Sequence, residues 1–256
     1  MTLRSATSTF IRAFRARQEA PHSVGMRTCL SGLAARGFRP ASILDVGAAS
    51  GGWTELALEF WPEARCFLVE PVQEQLELLG ARLRSHRNLT VLPLALGSEA
   101  GEGTIGVDPT FLDGSSIVYE SGRSRLVPVT TIDCLLATGR IDQPQFIKID
   151  VQGYELEVLK GGEASLRSCP LVLVEVEFRR FAPAMPLVHE VISWLTRRGY
   201  QVYEVADVLR RPIDGAMGQC DLLFCREGHE LLRSSEWGPL PHPTVSADTR
   251  VRPGSR

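Results

Sequence analysis

From residue 42 onward, short apolar runs alternate with stretches whose apolar positions recur at helical spacing. The runs predict strands at 42–46, 66–70, 89–93, 146–150 and 171–177, and the stretches between them predict helices at 52–60, 72–85, 155–160 and 187–198, the last closed by Gly199. Strand–helix alternation of this kind builds a parallel sheet. Two further runs, 201–205 and 221–225, read as a reversed pair at the sheet edge. The expected fold is α/β: a mostly parallel seven-stranded sheet with an antiparallel edge strand. Short β segments at 104–107, 116–119 and 126–130, separated by Gly and Asp, form a small β insertion. One or two helical turns at 132–136, capped by Thr131 or Asp133, lead into the fourth strand. Upstream, Val24, Cys29, Leu30, Leu33 and Ala34 form a helical stripe over 24–35 that Gly37 stops, expected to cover one edge of the ligand cleft. Residues 10–17 alternate arginine with apolar residues and predict a short amphipathic helix before Pro21. The tail after Trp237, rich in Pro, Ser and Arg, predicts disorder. The chain thus divides into a helical extension (1–40), a core domain (41–228) and a tail (229–256).

The first strand carries the most informative chemistry. Ile43-Leu44-Asp45-Val46-Gly47-Ala48-Ala49-Ser50-Gly51-Gly52 runs from a buried strand into a glycine loop, and the second strand ends in Glu70-Pro71. A loop that lets backbone approach a ligand, followed by a carboxylate about 20 residues on, fits an adenosine cofactor whose ribose hydroxyls the acid binds. A dinucleotide fingerprint starting at Gly47 requires glycine at 49, where the chain has Ala, so NAD and FAD are disfavoured. What remains is DxGxxxG. Asp45, Gly47 and Gly51 resemble the first motif of class I S-adenosylmethionine methyltransferases, in which Ala48 and Ser50 line the loop and an aspartate suits the cofactor's ammonium. A nicotinamide-dependent oxidoreductase and a catalytically silent Rossmann-like binding domain remain as alternatives; the retained Asp45, Gly47, Gly51 and Glu70 weigh against the second.

Composition narrows the partners. A net charge of −2 and a pI near 6.2 supply no basic face for nucleic acid. No apolar run reaches the ~20 residues of a membrane span, and the start lacks the apolar core of a secretory signal. The expectation is a cytoplasmic protein without a stable membrane anchor. The 6 cysteines include no CxxC pair and read as reduced packing residues.

The resemblance sharpens at the fourth strand. Residues 146–161, FIKIDVQGYELEVLKG, are similar to the signature block of FkbM-type methyltransferases, a strand ending KIDxEG or KIDxQG followed by ExxxLxG. Residues 127–133, the strand at 171–175 and the Glu70-Pro71 pair fit the same family in the same order, over roughly residues 28–227. Gln152 stands where Glu is commoner, so a carboxylate role there does not carry over. The resemblance implies a class I methyltransferase, Rossmann-like fold and transfer of a methyl group from S-adenosylmethionine to an oxygen of a carbohydrate or other small-molecule acceptor. It implies that Asp45, Gly47, Ala48, Ser50, Gly51, Glu70, Pro71, Ala95 and Leu96 contact the cofactor, the last two beside its adenine.

An unactivated hydroxyl needs a proton acceptor as it attacks. Asp150, at the tip of the fourth strand, is the candidate base or acceptor-positioning group, with Lys148 on the same side of the strand holding its carboxylate. An ion-paired Lys148 and a turn-capping Asp150 are equally compatible with the pattern. Ser115, Ser116, Gln152 and Glu175 are candidate acceptor contacts from a site over which the insertion is long enough to lie; Tyr119, Arg123 and Arg125 are candidate sugar or acid recognisers, although three such residues in a polar loop are more often solvated. Segment 178–186 is a second candidate lid; its Arg179-Arg180 pair reads as solvated charge. Asp150 and Glu175 alone fall short of a metal site, and no metal is expected. His189 is expected to be a plain helix residue, and Glu177 to face away from Glu175 or to enter the loop.

Overall fold

The computed structural model describes residues 24–108, 111–116 and 123–234. The predicted helix at 10–17, Tyr119 and the tail after Trp237 lie outside the described residues. The chain runs α1 (Val24–Ala35), β1 (Ser42–Val46), α2 (Gly52–Phe60), β2 (Arg65–Val69), α3 (Gln73–Arg82), β3 (Leu89–Leu92), β4 (Ala95–Leu96), β5 (Gly101–Asp108), β6 (Phe111–Ser116) and β7 (Arg123–Thr130). It continues through α4 (Ile132–Ala137), β8 (Phe146–Ile149), α5 (Glu155–Lys160), α6 (Glu163–Leu166), β9 (Leu171–Glu177), α7 (Val188–Thr196), β10 (Tyr200–Arg210) and β11 (Met217–Arg226).

The main sheet has the expected seven strands in the order β10-β11-β9-β8-β1-β2-β3, parallel except where β11 pairs antiparallel with both β9 and β10. Progress outward from β1 goes through β2 and β3 on one side and resumes at β8 and β9 on the other. The order therefore reverses between β1 and β8, which is where ligands enter an open α/β sheet.

Period-two alternation sorts the strands onto two faces. Leu44, Val46, Phe67, Val69, Ile147, Ile149, Val172 and Val174 pack with α4–α7. Ile43, Cys66, Leu68, Phe146, Leu171 and Leu173 pack with α1–α3. The second face changes character at the carboxyl ends, where the next residues on it are Asp45, Glu70, Lys148, Asp150 and Glu175. A polar rim is therefore built into one face alone.

The elements end where local chemistry dictates. In α1, Gly37 takes φ 88, and Gly37 N and Phe38 N donate to Ala34 O and Leu33 O, closing the helix. The helix lies along β10, where a Cβ on Gly25 would come within 2.4 Å of Ala206 O. Thr131 caps α4 by accepting from Cys134 N at 3.0 Å. Asp133, the other expected cap, instead accepts from Ala164 N and Ser165 N at the start of α6. Among the described residues no helix is long and apolar enough to cross a membrane. All 6 cysteines are free; five are buried, and desolvation raises their thiol pKa values, in Cys29 and Cys66 to about 12.

Several boundaries differ from the sequence expectation. Strand β2 stops at Val69, one residue before Glu70. Helix α3 is shorter than 72–85, with Val72 as its N-cap and Leu83 as its C-cap. Strands β10 and β11 are about twice the expected length, and three register irregularities let β10 follow the sheet's twist. The insertion is a separate four-stranded sheet, β4-β7-β5-β6. Its first strand is the Ala95–Leu96 pair, hydrogen-bonded parallel to β7.

Candidate active site

Three left-handed residues shape the loop after β1: Gly47 (φ 75), Ala49 (φ 46) and Gly51 (φ 84). Gly47 passes so close to the end of β8 that a Cβ would lie 1.9 Å from Asp150 O. Gly47 N and Ala48 N both donate to Val69 O, and Gly51 N to Ala48 O, so the loop is folded back over the end of β2. Ser50 is held from α3, with its hydroxyl 3.1 Å from Arg82 Nη1.

Glu70 locks this loop from the neighbouring strand. One carboxylate oxygen accepts from Ala49 N at 2.9 Å and the other from Val72 N at 2.8 Å, across Pro71. The Ala49 N–H that a dinucleotide loop would turn toward a pyrophosphate is thus engaged by the protein's own carboxylate, which disfavours NAD on geometric grounds. The Glu70-Pro71-Val72 turn brings Val72 into a small apolar cluster with Ala95, Ile105, Val107 and Val127. Ala95 therefore reaches the Glu70 corner, whereas the Leu96 side chain is buried in the main core with Leu92, Leu94 and Ile132.

Asp45 is held by the protein itself. It is wholly buried, Thr54 Oγ1 donates to its Oδ2 at 2.6 Å, and its Oδ1 lies 3.2 Å from Lys148 Nζ. A carboxylate enclosed in this way ties the end of β1 to α2 and to β8. Lys148 also donates to Gly47 O at 2.9 Å and sits 3.6 Å from Asp150 Oδ2. Desolvation alone would lower the Lys148 pKa, but the charges of Asp45 and Asp150 outweigh it and the value is raised. Lys148 is thus shared between the loop after β1 and Asp150, across the point where strand order reverses.

Beyond Asp150 the chain makes a tight turn. Gln152 has φ 56 and Gly153 φ 99, and Gln152 Nε2 donates to Asp150 Oδ1 at 2.8 Å and to Glu175 Oε2 at 2.9 Å. The amide ties two carboxylates on adjacent strands. A Glu at this position, ionised, would offer only acceptors to them. Asp221 on β11 pairs with Glu175 in register. Glu177, contrary to expectation, is on the same face as Glu175, buried and accepting from Gln219 Nε2 at 2.7 Å; two steps along a strand return to the same side. Among the described residues no group of three His, Cys, Asp or Glu side chains is placed to hold a metal ion.

The expected lids resolve differently. Arg125 makes a two-pronged contact with Glu74, both distances 2.8 Å, and lowers the Glu74 carboxyl to about 2. It latches the insertion to α3. Ser115 and Ser116 lie on β6, the outermost insertion strand, which approaches the same helix. Arg180 is exposed, as expected of a solvated charge, but its guanidinium also donates to Pro183 O, Met185 O and Glu190. Segment 178–186 is thereby braced, and Met185 packs against Gly153. His189 is exposed on α7.

Glu155, the first residue of the ExxxLxG pattern, belongs to the same corner. It is buried, and its Oε1 accepts from Gly153 N at 2.8 Å and Val151 N at 3.3 Å. Desolvation, the largest influence, raises its pKa to about 7, the nearby Asp150 charge adds to this, and the backbone hydrogen bonds oppose it. Its acidic position three residues after Gln152, in a turn with glycine, was the available signal.

The methyltransferase FkbM domain family matches residues 45–202. The hexuronic acid methyltransferase AglP of Haloferax volcanii is 36% identical over 89 residues, 34% of this chain and 37% of that protein, so the match spans little more than a third of the relative. Among solved structures, precorrin-6y C5,15-methyltransferase from Geobacter metallireducens superposes at TM-score 0.45 with 14% identity, over 81% of this chain and 93% of that one. A 1,6-didemethyltoxoflavin-N1-methyltransferase from Burkholderia thailandensis does so at TM-score 0.45 and 13% identity, over 88% and 91%.

Proposed function

The chain belongs to the FkbM methyltransferase family, and on that premise we propose that it O-methylates a hydroxyl of a carbohydrate or other small molecule, using S-adenosylmethionine as donor. The observation that carries this reading is the meeting, at the reversal of strand order between β1 and β8, of a glycine loop, a loop-locking Glu70 and an acid, Asp150. A carbohydrate acceptor is supported by the relative from Haloferax volcanii, which is named for hexuronic acid.

These residues fit the donor. Each Glu70 oxygen already accepts one backbone N–H, and since a carboxylate has about four acceptor sites it suits a pair of ribose hydroxyls as well; the loop from Gly47 to Gly51 offers backbone without bulky side chains. Bound S-adenosylmethionine supplies a methyl carbon activated by a sulfonium, open to in-line displacement. The chain's own work is alignment and proton removal. Asp150, whose side chain is 22% exposed, is the acidic group at the rim available to take the hydroxyl proton. Lys148 and Gln152 hold its two oxygens from opposite sides, limiting it to a narrow range of directions. Glu175, bridged to Asp150 by Gln152, extends the polar surface along which a polyol can hydrogen-bond.

Two measurements test the reading. Titration calorimetry is expected to show S-adenosylhomocysteine binding without NAD binding, and Glu70→Ala is expected to weaken it by roughly 100-fold, the loss of two charge-assisted hydrogen bonds. Binding of neither ligand would favour a silent domain, and NAD binding alone an oxidoreductase. Radiolabelled methyl transfer to methyl glucoside, methyl glucuronide and related glycosides then tests the base. Asp150→Asn should lower turnover by about 100-fold or more while S-adenosylhomocysteine affinity stays within about threefold. Full turnover in that variant would remove Asp150 from the mechanism.

A further inference from the structure

The turn that carries Asp150 and Gln152 is costly to form. Gln152 and Gly153 are consecutive left-handed residues, and a non-glycine residue there costs about 1 kcal/mol or more. Such a turn persists only if its surroundings hold it. The backbone N–H groups of Val151 and Gly153 point to one side and form a concave amide nest of the kind that binds anions. In many proteins a nest of this type receives a phosphate or carboxylate ligand. Here a single oxygen of Glu155 occupies it, delivered from the first residue of α5.

We propose that Glu155 is a positioning residue of the methyl-transfer site: seated in the 151–153 amide nest, its carboxylate holds the turn in the one conformation that directs Asp150 and Gln152 at the acceptor. The inference rests on reading this rim as the acceptor end of a methyltransferase. The turn is pinned at three places. Glu155 holds its backbone, Glu175 holds the Gln152 amide, and Met185 closes on Gly153, where a Cβ would come within 2.9 Å of its Cε. Only the first of these contacts acts on the backbone amides, so removing it frees the turn to rotate about residues 151–153. Asp150 is the charged neighbour on the same turn, and its repulsion adds to the burial that brings the Glu155 carboxyl to about 7. Loss of the proton strengthens the hold, since an ionised acceptor makes hydrogen bonds roughly twice as strong as a neutral one.

The test uses the full isotope-labelled chain, as wild type, Glu155→Gln and Glu155→Leu. In the wild type the amide resonances of Val151 and Gly153 should shift with pH about a midpoint near 7. In Glu155→Gln, whose side-chain oxygen can still accept both bonds, that titration should vanish while amide exchange at 151 and 153 stays within about threefold. In Glu155→Leu those amides, and the Gln152 side-chain amide, should exchange at least about tenfold faster while the β8 amides do not change. Persistence of the midpoint in Glu155→Gln, or wild-type protection in Glu155→Leu, would overturn the proposal. If the leucine variant fails to fold, the titration in the glutamine variant decides alone. S-adenosylhomocysteine is titrated into the same wild-type sample; failure to bind would sink the methyltransferase reading and leave the amide result standing, so the two failures are separable.

Discussion

Gly47→Ala is expected to destabilise the chain by at least about 3 kcal/mol and to lower its affinity for S-adenosylhomocysteine by about 100-fold or more. Two independent costs combine at this residue. The backbone is left-handed, φ 75, which disfavours any L-residue with a side chain by about 1–2 kcal/mol. The added Cβ would also lie 1.9 Å from Asp150 O and 2.9 Å from its carbonyl carbon, both backbone atoms at the end of a buried parallel strand. A flexible side chain could swing aside, but a strand end cannot do so without parting β1 from β8 at the point where the ligand is expected to sit. Gly139→Ala and Gly215→Ala provide the control. Both glycines have positive φ, 67 and 71, and an added Cβ would meet nothing within 4 Å at either, so each should cost only about 1 kcal/mol. Chemical denaturation and calorimetry of the three variants separate the backbone cost from the clash. Equal effects at all three positions would show that β1 and β8 are not packed as described.

Lys148→Met is expected to cost about 3–5 kcal/mol, because it removes the counterion of a wholly buried carboxylate and leaves the charge behind. Asp45 keeps its hydrogen bond from Thr54 but loses the ammonium at 3.2 Å, and Gly47 O loses its donor. The double variant Asp45→Asn/Lys148→Met should recover much of the loss, since the orphaned charge is gone and only the packing change remains. The sign of the pH dependence follows from the raised Lys148 pKa. Stability contributed by a cation with a raised folded-state pKa is complete below its unfolded value, near 10.4, and is lost only as pH climbs through the higher folded one. The contribution is therefore constant across the neutral range, and a stability difference between wild type and Lys148→Met that disappeared between about pH 6 and 8 would contradict the ion pair. Urea unfolding at several pH values measures this directly.

Much of this architecture is legible in the sequence because it is local. Strand and helix periods mark β1, α2, β8, α5 and β9 almost to the residue, and the coincidence of DxGxxxG, Glu70-Pro71 and the KIDVQG block locates the crevice without any knowledge of contacts. Period-two alternation also places Lys148 and Asp150 on one side of their strand. Where expectations miss, the deciding partner is one that local patterning does not reveal. Arg125 reads as a recogniser or a solvated charge, and its partner Glu74 stands far along the chain; Arg180 reads as solvated and is exposed, yet it also donates to the carbonyls of Pro183 and Met185. Glu155 reads as an ordinary first-turn acid, since nothing in its neighbours' identities shows that two amides turn back to face it.

By itself, then, the sequence determined which residues stand at the carboxyl rim of the sheet and on which face, because apolar spacing and glycine placement are set within a few residues of each position. Only the tertiary structure decided what each rim residue does. Register between β1 and β8 put Asp45 opposite Lys148 and gave this buried carboxylate a cation partner. The closing of the 150–154 turn then left Asp150 as the acid at the rim with its side chain 22% exposed. A carboxylate's role depends on whether water, a cation or an amide reaches it first, and that is fixed by strands and loops the chain brings together only on folding.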